Sequence, residues 1–424
     1  MKMVPIHPDA ARTGLPPEMR LYLKCLVGFS FLGATILLFN YFVLKSTWPH
    51  WFPFFSPNAR FTDFTIFRDR FRYFHQASFF ATEGFPSAGY PFSYPAPAAV
   101  VLNLFFAAGK WDSRLLLAFN ISIFFFGACW LYLALIRRGI SKPHSFLFIG
   151  LSGLLGYPIL FLINRGNIEG VCWLFTASGV WAFWSKRWYL CGILLGAATA
   201  LKLFPFILLG LLFSQKRYSA FAVAIGIAIL ITGSSYFFVG PTYHIASTGI
   251  AAGLEAFRTN YALTIHWNEI GFDHSLFAIV KLRVHQDYRS WLQGYLLVAA
   301  FTGLVLYWLR VRKLPRINQV LCLVVASVIL PPVSYEYTLV HLYLPWAAMV
   351  LVSFEAWKKG LILPGLRLAA VLLALVTAID SYFFWHGIRI GGELKCACLV
   401  TLFCIGLFFP WPDEGEQALG LSPA

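Results

Sequence analysis

Five long apolar runs constrain this chain more than any other feature of its sequence. Each approaches or reaches the roughly 20 residues that a helix needs to cross about 30 Å of hydrocarbon. The runs are Cys25–Leu44, Leu115–Ile136, Ala220–Val239, Trp291–Arg310 and Tyr337–Phe354. Since 59% of the 424 residues are hydrophobic and only 12% are charged, the chain has more apolar side chain than one soluble core buries. We therefore predict an all-α polytopic membrane protein, whose first run is a retained span because no small-residue cleavage site follows it.

The basic residues predict the orientation of these spans. The formal charge is +15, but Lys and Arg lie in short tracts between apolar runs, which is typical of cytoplasmic loops and not of a nucleic-acid-binding face. The tracts are Arg12 to Lys24, Arg137–Arg138 with Lys142, Lys186–Arg187, Lys216–Arg217, Arg312 to Arg316, and Lys358–Lys359 with Arg367. We expect all of them inside, with residues 1–24 and 411–424 as cytoplasmic tails, and we expect no nucleic-acid partner.

Placing every basic tract inside gives one consistent topology if two segments do not cross as simple helices. Pro95–Ala108 is short and begins with Pro-Ala-Pro, so we expect it to enter the membrane and return. Tyr189–Phe213 has basic tracts at both ends, so we expect two half-spans that meet at Lys202–Pro205, where proline breaks the helix. Residues 1–424 then form one integral membrane domain with about 11 to 13 transmembrane or half-spanning helices.

Most of the unusual polar residues fall on the predicted external side. This side receives long loops at 45–94 and 240–290, together with Asn164–Asn167, Pro331–Glu336 and Asp380–Glu393. In the first loop, Asp63–Ala77 has helical spacing that aligns four phenylalanines on one stripe, namely Phe64, Phe67, Phe71 and Phe74. We predict a helix lying at the membrane interface there.

Two polar sites near membrane depth suggest phosphate binding, because an intramembrane charge costs about 2.5–3.5 kcal/mol on insertion scales. Lys202, beside the predicted helix break, is placed to meet a phosphate near the outer surface, and snorkelling to the interface is the alternative. Arg165 can grip a phosphate bidentately, while Asn167 and Glu169 bond sugar hydroxyls or orient the arginine. The alternative is a helix cap with an internal Arg165–Glu169 pair.

Asp63 is a candidate general base. It stands in Arg-Phe-Thr-Asp-Phe, shortly after the first span, where a carboxylate can point at the membrane mouth. A direct displacement on a sugar needs one carboxylate to take the acceptor proton, and a phosphate leaving group needs cations more than an acid. An ordinary N-cap at a helix start explains the same residue equally well.

His341 follows Pro331–Tyr337, a segment that ends one span and begins another. Glu336 and His341 are five residues apart and do not share a helical face well. We therefore interpret His341 as a hydrogen-bond donor to phosphate and not as half of a metal site, with a satisfied buried histidine as the alternative.

Metal-binding patterns are weak in this sequence. His266, Glu269, Asp273 and His274 form its one metal-like cluster, but their spacing matches no familiar ligand motif. Cys396 and Cys398 have no nearby histidine or second cysteine pair, and all eight cysteines are interpreted as packing residues. We predict no metal and no cofactor.

The order of several short motifs resembles glycosyltransferase family 87, whose members are polyprenol-phosphate-sugar-dependent transferases of the GT-C superclass. The motifs are Asp63-Phe64, Gly89–Pro95, Arg165-Gly166-Asn167, Leu201–Pro205, His274-Ser275-Leu276 and Ser334–Tyr337. The resemblance runs over most of the chain. It departs from the family pattern at Phe67, where Asp-Phe-x-x-Tyr ends in tyrosine, and at Asn167, where many members have glutamine.

The resemblance implies a GT-C-like bundle and an inverting, metal-independent transfer of a hexose, commonly mannose. The donor is then a polyprenyl-phosphate sugar, the acceptor is lipid-linked or a glycan, and the reaction takes place on the external face of the cell membrane. Asp63 matches the family's base, and Lys202 and His341 fall near the donor phosphate. The remaining candidates for substrate binding are Tyr94, Arg165, Asn167, Glu169, His274, Glu336 and Tyr337.

A transporter or flippase of an anionic lipid or glycan is the alternative, since it also requires buried Lys and Arg. Such folds often contain inverted repeats and broken helices at the midplane. This sequence has no convincing repeat, and its polar residues gather at one predicted membrane face. These two features favour the transferase.

Overall fold

The computed structural model describes most of the chain. The described residues are 14–43, 61–71, 92–265, 270–284, 286–379, 384–385, 388–389 and 391–412. They form 17 α-helices, several short 3-10 helices, one π-helical turn and one small hairpin.

The helices of the first half are α1 (Pro17–Phe42), α2 (Thr62–Phe71), α3 (Ala96–Phe106), α4 (Asp112–Arg137), α5 (Lys142–Leu154), α6 (Tyr157–Arg165), α7 (Glu169–Trp184), α8 (Trp188–Leu201) and α9 (Gly210–Ser214). Those of the second half are α10 (Tyr218–Val239), α11 (Tyr243–Phe257), α12 (Leu276–Arg283), α13 (Tyr288–Leu309), α14 (Arg316–Ile329), α15 (Tyr343–Lys358), α16 (Leu366–Thr377) and α17 (Gly391–Phe408). The 3-10 helices are Gly109–Trp111, Phe204–Leu209, Ile270–Phe272, Val311–Lys313 and Glu336–Leu342, and Arg258–Ala262 is the π-helical turn. Strands β1 (Phe384–Trp385) and β2 (Ile388–Arg389) pair antiparallel.

Six helical segments among the described residues are long and apolar enough to cross a membrane. They are Pro17–Ile36, Gly109–Arg137, Tyr218–Val239, Tyr288–Lys313, Glu336–Lys358 and Gly391–Phe408. The pair α5 and α6 bends by 50° and adds a seventh if it forms one span. The prediction of an all-α polytopic membrane protein is confirmed. The predicted total of about 11 to 13 also counted half-spanning helices, and five further apolar helices have only 10–17 residues.

The two segments predicted not to cross as simple helices are short or broken in the structure. Helix α3 has 11 residues, about 16 Å of length, which is too short for the hydrocarbon core. Helix α8 ends at Leu201, Lys202 has extended dihedrals (φ −147°, ψ 141°), and a 3-10 helix containing Pro205 follows. The break therefore lies where the sequence predicted it.

The predicted interfacial helix packs partly against the protein. Its described part is α2, and Phe64 and Phe67 are buried there. The Phe64 ring lies 4.6 Å from Phe106, and the Phe67 ring lies 5.1 Å from Phe92. These two rings thus pack α2 against α3 and against the segment just before α3 instead of lying on the membrane surface. Phe74 lies outside the described residues.

The helices differ greatly in how much of them the protein covers. The most apolar part of Glu336–Lys358 is 89% buried, whereas that of Tyr288–Lys313 is 6% buried. An apolar helix exposed on most sides requires lipid around it, so α13 lies at the periphery and α15 at the centre. The 3-10 helix before α15 consequently reaches the interior of the bundle, where it positions Tyr337 and His341.

Candidate active site

A close approach between α2 and the turn linking α6 to α7 begins the site. The Phe61 N–H donates to the Asn164 carbonyl at 2.7 Å, and Gly166 ends α6 in the left-handed conformation (φ 62°). A Cβ at Gly166 would clash with the Phe61 ring. Glycine satisfies both demands, because it tolerates positive φ and leaves room for the neighbouring chain. The result places Asp63 beside Arg165.

Both carboxylate oxygens of Asp63 have partners from that turn. Oδ1 forms an ion pair with Arg165 Nη2, and Oδ2 accepts a hydrogen bond from Asn167 Nδ2 at 2.8 Å. The side chains of Asp63 and Arg165 remain 13% and 16% exposed. Asp63 is the second residue of α2. An N-cap carboxylate bonds to the backbone of its own helix. The contacts of Asp63 instead point its carboxylate toward the turn between α6 and α7 and leave it accessible.

Lys202 and Glu169 form the buried end of the same network. Lys202 Nζ donates to Glu169 Oε2 at 2.5 Å and to Asn167 Oδ1 at 3.3 Å. The other oxygen of Glu169 lies 2.7 Å from His341 Nε2. Lys202 is buried and does not snorkel outward. The alternative of an internal Arg165–Glu169 pair is wrong, because Arg165 pairs with Asp63 and Glu169 pairs with Lys202.

Aromatic rings line this network. Lys202 Nζ lies 5.0 Å from the ring centre of Tyr94 and 4.9 Å from that of Tyr337, within the range of cation–π attraction. The Tyr94 hydroxyl accepts from Asn167 Nδ2 at 2.9 Å, and desolvation raises the pKa of this phenol while Lys202 opposes the rise. The ammonium is thus held from two sides by rings and from a third by Glu169.

Asn167 connects the accessible and buried ends. Its Nδ2 donates to Asp63 and Tyr94, and its Oδ1 accepts from Lys202 and from the Glu169 N–H at 3.0 Å. The structure therefore brings together eight of the ten residues singled out from the sequence. They are Asp63, Tyr94, Arg165, Asn167, Glu169, Lys202, Tyr337 and His341. We call this set the Lys202 network.

The other two residues, His274 and Glu336, belong to a separate set that we call the second polar cluster. It consists of Asp273, His274, Lys281, Glu336 and Lys395. Lys395 Nζ lies 2.6 Å from Glu336 Oε2, and Lys281 Nζ lies 3.6 Å from Asp273 Oδ2. All four of these charged side chains are at most 4% exposed.

His274 is a neutral member of the second polar cluster. Its Nε2 lies 3.1 Å from Ser334 Oγ and 3.2 Å from Thr338 Oγ1. Burial, with Lys395 nearby, lowers the pKa of His274 to about 3. A neutral imidazole bonded to two hydroxyls fixes the segment that leads to Tyr337 and His341.

The sequence interpretation missed Lys395 and Lys281. Lys395 is a charge in the first half of the apolar helix α17, so the reasoning that identified Lys202 applies to it equally. Asp273 was considered only as part of a metal-like cluster, and two members of that cluster, His266 and Glu269, lie outside the described residues. Asp273 instead pairs with Lys281 and accepts from the Ser334 N–H at 3.0 Å.

One group in the described part of the chain has donor atoms close enough for a metal ion. It consists of Glu169, Cys172 and His341, with ligand atoms within 4.8 Å of one another. The Lys202 ammonium already lies against Glu169, and a second cation there would meet electrostatic repulsion. The donor set therefore suits Lys202 better than a metal.

Comparison with known protein families gives a match. The model of glycosyltransferase family 87 matches residues 92–331, more than half of the chain. No curated protein and no solved structure matches. Asp63 precedes the matched segment, and Tyr337 and His341 follow it. The other members of the Lys202 network lie within it, namely Tyr94, Arg165, Asn167, Glu169 and Lys202.

Proposed function

The chain belongs to glycosyltransferase family 87, and we propose that it moves a hexose from a polyprenyl-phosphate donor to a lipid-linked or glycan acceptor. Membership makes it a glycosyltransferase, and its apolar helices make it a multi-pass membrane protein. We propose mannose as the sugar, the external face of the cell membrane as the place of reaction, and inversion at the anomeric carbon as its outcome.

The observation that carries this proposal is the convergence of one accessible carboxylate with two cations. Asp63, Arg165 and Lys202 come from three separate segments. Arg165 pairs with Asp63, and Asn167 hydrogen-bonds to both Asp63 and Lys202. A displacement at a sugar phosphate needs a base for the acceptor hydroxyl and positive charge for the departing phosphate. The Lys202 network supplies both.

The proposed step is a single displacement. The acceptor oxygen attacks the anomeric carbon as Asp63 takes its proton. The bond from that carbon to the phosphate oxygen breaks, and the phosphate leaves with the electron pair. Arg165 and Lys202 stabilise the added negative charge. Asp63 then releases its proton to water.

Accessibility favours Asp63 over Glu169 as the base. The side chain of Glu169 is fully buried, and its oxygens meet Lys202 and His341. Asp63 is accessible, and its partners Arg165 and Asn167 orient it. We therefore assign Glu169 the role of holding Lys202 in place.

We propose that His341 contacts the donor phosphate. Its Nε2 faces Glu169, and its Nδ1 is buried without a hydrogen-bond partner among the described residues. Nδ1 is therefore the ring atom that can meet the donor phosphate.

The test offers purified full-length protein a panel of polyprenyl-phosphate hexoses and follows loss of the donor by mass spectrometry. We expect a mannosyl donor to be consumed in the presence of an acceptor. Asp63→Asn should reduce turnover about a thousandfold while leaving donor binding largely intact, because it removes the base and keeps the shape.

The matched control is Asp287→Asn. Asp287 is exposed and caps α13 in the left-handed conformation (φ 53°), which asparagine also adopts readily. This variant should retain normal turnover. Near-normal turnover by Asp63→Asn would remove Asp63 from the mechanism, and movement of labelled donor across vesicles without its consumption would support the transporter alternative.

A further inference from the structure

Two helix-ending turns in this protein share an unusual design. The turns before α8 and α10 each place a lysine in the left-handed conformation, Lys186 and Lys216, both with φ 57°. An arginine follows each lysine, and its N–H donates to the carbonyl five residues earlier, at 2.9 Å for Arg187 and 3.0 Å for Arg217. This pattern is the Schellman motif, in which the left-handed position is usually glycine.

Two other turns of the same molecule use that glycine. Gly139 (φ 96°) ends α4 and Gly360 (φ 65°) follows α15, and the next residue of each turn donates to the carbonyl five positions back. A residue with a Cβ is disfavoured in this conformation. Lys186 and Lys216 therefore bring no backbone advantage, which indicates a role for their side chains.

The packing of α8 against α10 brings the two turns side by side. Gly192 lies on the Ala220 carbonyl and Gly196 on the Ala224 carbonyl, so close that a Cβ would clash at either glycine. This register shows that the helices run parallel with their first turns level. The Tyr189 hydroxyl also donates to Ser219 Oγ at 3.3 Å, across the two turns.

The arginines of these turns rest on aromatic rings. Arg217 and Arg316 lie 4.9 and 5.7 Å from the ring centre of Trp188, and Arg187 lies 5.2 Å from that of Trp181. Lys186, Arg187, Lys216 and Arg217 are all exposed. We call the surface formed by these four residues and Arg316 the basic patch.

The chain segments that carry the basic patch contain no acidic residue. The sequence has no Asp or Glu from Gly170 to Leu254 or from Tyr288 to Tyr335. None of the ion pairs among the described residues includes Arg187, Lys216 or Arg217. Arg187, Lys216 and Arg217 therefore give the basic patch an exposed, electropositive surface.

We propose that the basic patch binds the phosphate headgroup of an anionic phospholipid. Guanidinium groups bind phosphate through paired N–H donors, and tryptophan and tyrosine are favoured at the level of lipid headgroups. Basic pockets between membrane helices bind such lipids. A basic tract that served only to orient the chain in the membrane would not require lysines in the left-handed conformation. It would also not require two turns that meet at Trp188.

The basic patch is separate from the proposed donor site. It lies at the first turn of α8, and Lys202 follows the last residue of that 14-residue helix. The helix separates them by about 20 Å. A phospholipid held at the basic patch is consequently not the sugar donor.

The test measures lipid retention by native mass spectrometry of the full chain in neutral detergent, titrated with phosphatidylglycerol or phosphatidylcholine. Lys186→Gly/Lys216→Gly removes two charges and supplies the residue that the turns at Gly139 and Gly360 already use, so the fold should be retained. We expect the apparent affinity for phosphatidylglycerol to fall roughly tenfold or more. Phosphatidylcholine should bind more weakly than phosphatidylglycerol to the unchanged protein.

The matched control is Lys358→Gln/Lys359→Gln, which removes two charges from another basic tract and should keep the affinity within about twofold. An equal loss in the control, an unchanged affinity in the glycine variant, or equal binding of both lipids would overturn the proposal. Inorganic phosphate should not displace the lipid at matched concentration, and full displacement would assign the patch to free phosphate instead. A thermal melt of each variant in the same detergent separates loss of the lipid site from loss of the fold.

Discussion

Lys202 and Lys395 each meet a fully buried glutamate at nearly the same distance, 2.5 Å to Glu169 and 2.6 Å to Glu336. The surroundings of the two pairs differ. The Lys202–Glu169 pair is linked by hydrogen bonds through Asn167 to Asp63, whose side chain is 13% exposed. The Lys395–Glu336 pair lies among other buried charges. A buried ion pair adds little net stability but is costly to break, so pairing alone does not reveal function. Connection to an accessible carboxylate distinguishes the Lys202 network.

The largest effect should follow from Lys202→Met. It leaves Glu169 buried without its ammonium partner, so we expect unfolding to become easier by about 3–5 kcal/mol. Activity should fall at least about a thousandfold, because the variant also loses a cation for the phosphate. Thermal unfolding in detergent and donor turnover measure the two effects.

The companion variant is Lys202→Met/Glu169→Gln, which removes both charges. It should recover much of the stability and none of the activity. Recovered turnover in the double variant would show that Lys202 serves only the fold, and the distinction between the two buried pairs would be lost.

The corresponding variants at Lys395 should change the stability of the protein, and removing both charges of the pair should leave turnover intact. Lys395→Met leaves Glu336 unpaired and should cost about 3–5 kcal/mol of stability. We expect Lys395→Met/Glu336→Gln to recover both stability and turnover, because the four charged side chains of the second polar cluster pair with one another and are at most 4% exposed. Persistent inactivity in a stable double variant would place this cluster in the reaction.

A smaller effect is expected for Arg165→Lys. Lysine keeps the charge but loses the planar fork, so kcat/KM should fall about 10- to 100-fold. Stability should change by less than about 1 kcal/mol, since the Arg165–Asp63 pair is partly exposed. Arg283→Lys, at a side chain that is 76% exposed, is the control and should leave kcat/KM unchanged. Unchanged kcat/KM in Arg165→Lys would argue against bidentate binding of the phosphate.

The smallest effect concerns pH and His274. Its folded-state pKa of about 3 lies below the usual unfolded value near 6.5, so between these values the unfolded chain binds the extra proton. The stability contribution is complete above about pH 6.5 and is lost as the pH falls toward 3. Lowering the pH from 7.5 to 5.5 should cost about 1 kcal/mol through this group. His274→Gln should show less acid destabilisation, and an identical pH profile would contradict the assignment of a neutral buried histidine.

Local sequence was sufficient to predict the features that depend on neighbouring residues. The end of α8 beside Lys202 follows from the proline three positions later, and the turn after Arg165 follows from Gly166. The polar residues of the site were recognisable because each interrupts an apolar stretch. Lys395 satisfied the same criterion and was overlooked.

The partners of those residues were beyond such reasoning. The sequence offered a pair between Arg165 and Glu169, four positions away, as an alternative, but the fold pairs Arg165 with Asp63 from α2 and Glu169 with Lys202 from the end of α8. It also predicted that His274 and Glu336 bind the substrate. The structure places both in the second polar cluster, and their role toward the substrate stays a prediction. Spacing along one helix predicts contacts within that helix, and it does not predict how separate helices meet.

The sequence by itself determined that this chain is an all-α membrane protein, where its helices break, and which polar residues need a partner. Those features depend on hydrophobicity, on backbone preferences and on the cost of a charge in an apolar environment. Only the tertiary structure decided which carboxylate meets which cation, and which of the resulting pairs connects to an accessible acid. The reason is that such pairs join segments distant in the chain, and their proximity depends on the packing of whole helices.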